Sequence, residues 1–235
     1  MRIEHRAQQI LPWVKGPKVL DVGCAAHAMD FDDPNWLHGL LRQRFPETVG
    51  IDIRPDLVEK LHHDLGFSNV YLGNAETFEL GQRFDTIVAG DIVEHLSNLG
   101  AFLHRAHEHL EPEGRLIVTS PYPFSLFHMS YAVFKYPKTT WNVEHTHWIC
   151  PQTFTEACRR AGLKAMHSAL IADYAPPDQD SSVSYRVFVK SLAVLGGLIP
   201  DRLRCSSVLF VATRAEESDV RPYRADQFAH KSKVA

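Results

Sequence analysis

The chain has 235 residues, with 25 Lys and Arg against 28 Asp and Glu, and its net charge of −3 lacks the basic footprint expected of a nucleic-acid binder. No apolar run is long enough to span a bilayer, and the start, Met1 to Arg6, is too charged for a signal peptide. Cys24, Cys150, Cys158 and Cys205 show no C-x-x-C spacing, so reduced thiols and a cytoplasmic location are expected.

In chain order, residues 3–14 place Ile3, Ala7, Ile10, Leu11 and Val14 near one face of a leading helix. Val19, Leu20 and Val22 form the apolar run of a buried parallel strand. Gly23 turns the chain, and Cys24, Ala25 and Ala26 keep side chains small where a ligand can approach. After an insertion from His27 to Pro34 comes a crossover helix at 35–45, then a second strand from Thr48 to Asp52 with an acid at its carboxyl end. Strand, small-residue turn, helix, strand and terminal acid describe a nucleotide-type site in which the acid accepts from ribose hydroxyls. The full G-x-G-x-x-G pattern is missing, so a dinucleotide is not the first choice. A helix over 55–65 starts at Pro55 with Leu57, Val58 and Leu61 as its stripe, and Val70 to Leu72 is a short third strand. Phe84 to Gly90 is the fourth strand, 97–110 a helix, Glu111 to Gly114 a turn, and Arg115 to Thr119 the fifth strand.

Residues 121–141 are dense in aromatics, including Tyr122, Phe124, Phe127, Tyr131, Phe134 and Trp141, which wall an acceptor pocket or form the small core of a lid. A helix at 152–161 ends at Gly162, and 165–172 and 207–213 read as strands six and seven. Between them, 184–199 is strongly apolar with Arg186, Lys190, Arg202 and Arg204 around it. Such a segment makes peripheral membrane contact, here over 184–204, or packs on its own domain or a second copy. The expected organisation is one domain over 1–215, with a lid insertion at 121–150, a second insertion at 176–203, and a mobile tail from 216 to 235.

Val19-Leu-Asp-Val-Gly-Cys-Ala25 resembles the first motif of class I S-adenosylmethionine-dependent methyltransferases, V-L-D-x-G-C-G-x-G. The resemblance covers roughly residues 15–170 and departs from the family at Ala25-Ala-His27, where Gly-x-Gly is usual. His27 then either faces the methionine carboxylate of the cofactor or is a loop residue without ligand contact. Gly73-Asn-Ala-Glu76 resembles the G-D-A-x segment of the adenine pocket, with Asn74 supplying an amide acceptor in place of the acid, unless it only forms the turn. The resemblance implies S-adenosylmethionine as methyl donor, held by Asp21, Gly23, Cys24, Ala25, His27, Asp52, Ile53, Asn74, Ala75 and Asp91. It also implies an α/β fold, a doubly wound, seven-stranded and mostly parallel sheet, with an antiparallel seventh strand and an aromatic-rich insertion after strand five. The leading helix would lie over the cofactor.

Gly90-Asp-Ile-Val-Glu-His-Leu96 resembles the D/E-x-x-E-H segment of small-molecule methyltransferases and of small-RNA 2′-O-methyltransferases. On a helical turn Asp91, Glu94 and His95 share a face. By analogy with the RNA enzymes they would hold a divalent metal together with His145, or with His147 if the alignment slips by two. The alternative, and the one expected, is a metal-free site in which His95 and His145 are candidate bases and Glu94 orients them. The implied reaction is O-methylation of a small-molecule, glycan or lipid-linked acceptor. RNA 2′-O-methylation is the alternative, opposed by the acidic balance and the lack of an appended RNA module, and DNA is not expected as a partner. A nonenzymatic S-adenosylmethionine-binding module is the third reading, supported only by the drift at Ala25 to His27. The sequence leaves the oligomeric state open.

Overall fold

The computed structural model describes residues 5–25, 31–134, 142–174 and 183–216. Seven strands form one sheet: β1 (Val19–Val22), β2 (Val49–Asp52), β3 (Val70–Leu72), β4 (Phe84–Gly90), β5 (Leu110–Pro121), β6 (Leu163–Ile171) and β7 (Ser207–Arg214). Their order is β3-β2-β1-β4-β5-β7-β6; β1 to β5 pair in parallel and β7 runs antiparallel to both neighbours. Successive side chains of a strand face opposite ways, so a strand buried on both faces reads as an unbroken apolar run. In β5, Leu116 and Val118 join one core cluster and Ile117 the other.

The first cluster takes Phe102, Leu103 and Ala106 from α4 (Leu99–His109) and Phe154 and Cys158 from α6 (Pro151–Arg160). On the other face, Ile10 of α1 (Arg6–Ile10) and Leu41 of α2 (Leu37–Arg44) pack on Val19, Val88 and Ile117. Val58 and Leu61 of α3 (Pro55–Leu65) pack with Cys24 and Val70. This is the doubly wound architecture expected, with the antiparallel seventh strand.

Local chemistry sets the element ends. α3 begins at Pro55 and closes on Gly66 at φ +66°, a left-handed cap that costs glycine little. The leading helix is shorter than its apolar stripe suggests. α-Helix ends at Ile10, and Pro12, which has no N–H to donate, sits in a 3-10 turn at Leu11–Trp13. β5 is longer than expected because Leu110 already pairs with Phe84, and Glu111 to Gly114 form the irregularity before Arg115 pairs with Thr86.

Two insertions leave the ligand end of the sheet. The first carries α5 (Leu126–Phe134) after β5. The second carries α7 (Val183–Leu195) and α8 (Asp201–Arg204) between β6 and β7. They meet in a small core of their own, where Phe127, Tyr174, Phe188 and Ile199 surround Ala172 and Cys205. Phe127 is thus part of the lid's own core, Tyr122 is buried in the main core, and Phe124 is 54% exposed. Trp141 and the side chains of Tyr131 and Phe134 lie outside the described residues.

Candidate active site

The strand order reverses between β1 and β4, and ligands of open α/β sheets bind at the carboxyl ends beside such a point. At the end of β1, Gly23 takes φ +76°, and a Cβ there would lie 2.1 Å from Ile92 Cδ1. The amides of Gly23 and Cys24 both donate to the Ile51 carbonyl of β2. Asp52 completes the turn: its Oδ2 accepts from Ala25 N and its Oδ1 from Arg54 N, each at 3.0 Å. Each carboxylate oxygen keeps a further lone pair for a ligand hydroxyl. Beside it Ile53 and Leu72 are 65% and 60% exposed, apolar surface left open at the ligand end.

The other expected cofactor residues take more varied places. Asp21 is buried, with Oδ2 3.0 Å from His38 Nδ1 of α2, and burial raises its pKa against the opposing pull of that histidine. Cys24 is buried too, its thiol pushed well up by burial, and its carbonyl accepts from Trp36 Nε1 at 2.9 Å. Asn74 spends its side-chain oxygen on Glu76 N, an Asx turn, while Ala75 is half-buried beside it. Glu76 Oε1 in turn accepts from Ser97 N and Asn98 N at the start of α4. His27 lies outside the described residues.

At the end of β4, Asp91 adopts φ +52° and is held from three sides. Its amide donates to the Thr119 carbonyl of β5, its Oδ1 accepts from Thr119 Oγ1 at 2.8 Å, and its Oδ2 lies 2.6 Å from Arg6 of α1. The same guanidinium lies 3.7 Å from Asp173, which follows β6. Asp91, more than any other neighbour, raises the Arg6 pKa.

The next residues form a 3-10 turn, Val93–His95, in place of the helical turn expected. Glu94 is 1% exposed; burial first, then the charge of Asp91, lifts its pKa well above 4.5. Its Oε2 has no hydrogen-bond partner among the described residues. Its backbone carbonyl accepts from the amides of Thr146 and His147, and Thr146 Oγ1 donates to the Leu96 carbonyl at 2.6 Å. That staple carries His145 to His95, ring centroids 4.8 Å apart and edge to face. Donor atoms of Glu94, His95 and His145 all lie within 4.8 Å of one another. Asp91, tied to Arg6 and Thr119, is not in that set, and neither is His147. Burial, then the neighbouring His95 and His128, lowers the His145 pKa to about 4. Trp148 stands 6.3 Å from the His145 ring and 5.1 Å from His128 of α5.

Arg6, Asp173, Trp36, His38, Thr146 and Trp148 were not anticipated. Each reaches the site from a distant part of the chain or through a backbone atom, and neither leaves a local pattern.

The family described as "Methyltransferase domain" matches residues 2–168, and the chain belongs to it. It carries a class I S-adenosylmethionine-dependent methyltransferase domain. A ubiquinone biosynthesis O-methyltransferase of Azorhizobium caulinodans is 33% identical over 121 residues, 49% of this chain and 44% of that protein. The match thus spans less than half the length of that curated relative. Among solved structures, an S-adenosylmethionine-dependent methyltransferase from Archaeoglobus fulgidus superposes with a TM-score of 0.59 at 19% identity, covering 89% of this chain and 91% of that one. The N-methyltransferase NodS from Bradyrhizobium japonicum gives 0.53 at 14% identity, covering 90% and 95%. These two likenesses show the fold, and the fold serves more than one acceptor atom.

Proposed function

We propose that this enzyme methylates oxygen, at a hydroxyl of a small-molecule, glycan or lipid-linked acceptor. The meeting of Glu94, His95 and His145 at the carboxyl end of β4, roofed by Trp148 and α5, carries this reading. The relatives named for O-methylation in ubiquinone biosynthesis support oxygen as the acceptor atom.

S-adenosylmethionine is the donor the family implies, and the residues fit it. Asp52 offers lone pairs for the ribose hydroxyls, the Gly23 to Ala25 turn is small, and Ile53 and Leu72 present apolar surface for a flat ring. When bound it supplies a methyl group on a sulfonium, which departs without a protein acid. The protein's remaining tasks are to align the acceptor and remove its proton. His145, held at about 4, is neutral at pH 7 and a weak base. His95 therefore takes the hydroxyl proton, His145 lines the chamber, and Glu94 orients the pair.

One observation favours a second reading. Glu94 Oε2 is buried with no hydrogen-bond partner among the described residues, in the cluster whose two imidazoles supply further donors. Glu94, His95 and His145 would hold a divalent ion, and its chemistry would be to lower the pKa of the acceptor hydroxyl.

Both readings are tested by assaying methyl transfer to matched hydroxyl and amine acceptors and identifying the product by mass spectrometry. O-methyl product is expected, and His95→Ala should lower kcat by roughly 10²–10⁴-fold with cofactor affinity unchanged. Transfer to nitrogen alone would overturn the proposal. Full turnover in EDTA keeps His95 as base; turnover lost in EDTA and restored by Mg²⁺ or Mn²⁺ assigns the cluster to a metal.

A further inference from the structure

Amphipathic helices normally turn their apolar stripe inward and leave charged residues to the water. α5 and α7 do otherwise. On α7 the inward side carries Val189, 6% exposed, and Phe188, whose ring lies 5.9 Å from Phe127 of α5. Its outward side carries Val183, Val187 and Val194, which are 75%, 56% and 81% exposed. At about 100° per residue these three lie within roughly 40° of one another. On α5, His128 is buried while Leu126, Met129 and Val133, spaced i, i+3 and i+7, are 37%, 43% and 67% exposed. Two adjacent helices therefore show apolar stripes to solvent, more than scattered surface residues account for.

The charge pattern is as one-sided as the exposure. None of the chain's 28 acidic residues falls in 121–143 or 183–200, the segments that contain these helices, whereas Arg186 and Lys190 are exposed on α7. Lys190 lies within the valine stripe itself. Apolar side chains interleaved with cations and cleared of anions complement an anionic lipid surface. Among the described residues no helix is long and apolar enough to cross a membrane, so contact would be made from the side.

The topology gives this surface a purpose. α5 leaves the carboxyl end of β5, and α7 lies between the end of β6 and the start of β7, all at the ligand end of the sheet. The buried side of α5 faces the reaction chamber: His128 contacts Trp148, which contacts His145.

We propose that the outward faces of α5 and α7 form a docking surface for an anionic bilayer, setting the acceptor chamber at the headgroup level. The docking holds whichever acceptor is methylated, and a water-soluble hydroxyl acceptor assayed without lipid tests the O-methylation reading separately.

The test is co-sedimentation of the full chain with vesicles of phosphatidylcholine alone, or with about one third phosphatidylglycerol. Binding to the anionic vesicles, weakened by salt, is expected. Replacing both basic side chains, as in Arg186→Glu with Lys190→Glu, should lower the partition constant at least about thirtyfold, roughly fivefold for each cation removed. Val187→Glu with Val194→Glu should lower it as well, and both variants should keep wild-type cofactor affinity, which reports an intact fold. Failure to bind anionic vesicles, or equal binding by wild type and both variants, would overturn the proposal. So would a dimer in sedimentation velocity without lipid that Val194→Glu dissociates, since the face would then belong to a second copy of the chain.

Discussion

Glu94→Gln probes the centre of the site through a quantity that needs no substrate. The carboxyl is 1% exposed, and burial with the adjacent Asp91 charge holds its pKa well above 4.5. An acid raised in this way keeps its proton in the folded chain but loses it on unfolding. Stability therefore falls as pH rises above about 4.5, by up to about 1.4 kcal/mol per pH unit until the folded group ionises. Below 4.5 both states are protonated and the penalty vanishes. Glutamine has nearly the same shape and no proton to lose. Urea denaturation of chelator-treated protein should give equal stabilities in acid and a variant advantage that widens toward neutral pH. The gain should come with lost turnover, because the amide neither orients the histidines as the acid does nor binds a cation as well as the ionised acid would. Parallel stability curves across the whole range would mean that the buried acid is already ionised in the folded chain, and the argument would fail.

Asp52→Ala should weaken S-adenosylmethionine binding by about 2–3 kcal/mol, roughly 30- to 150-fold, by calorimetry; unchanged affinity in a folded variant would remove the ribose assignment. Asp52→Asn, which keeps one acceptor oxygen, should lose less. Gly23→Ala should cost roughly 2–4 kcal/mol in thermal or urea unfolding, from the left-handed backbone and the collision with Ile92; a loss below about 1 kcal/mol would show that the turn can shift. The His145 pKa is lowered from 6.5 to about 4, so the folded chain is the poorer proton binder in that window and stability rises with pH across it. His145→Gln should flatten this rise, and an unchanged slope between about pH 4 and 6.5 would show that the imidazole titrates normally.

The parts of the fold that could be read in advance were those written in adjacent residues. Pro55 and Gly66 bracket α3, and β4 carries the apolar run Ile87 to Ala89, so both follow from local chemistry alone. Leu110 joins β5 only because Phe84 lies opposite, a pairing that no window of sequence displays. The site divides in the same way. Glu94 and His95 are neighbours in the chain, and His145 was found through resemblance, whereas Arg6 binds Asp91 from 85 residues away. Asp21 and His38 are only 17 apart, yet one sits on a strand and the other on a helix, so neither period announces the pair.

The segment that roofs the chamber is fastened at each end to backbone atoms. The Tyr122 amide donates to the Ser206 carbonyl, and the Thr146 amide donates to that of Glu94. Neither tether uses a side-chain acceptor, so substitutions at Ser206 or Glu94 leave both hydrogen bonds available. Residues 123–144 lie inside these tethers and short of His145, so an exchange confined to them keeps both His95 and His145. Replacing residues 123–144 by those of a relative, with His145 kept, should therefore change acceptor use while calorimetry finds cofactor affinity unaltered; the same acceptor use after the exchange would place selectivity elsewhere.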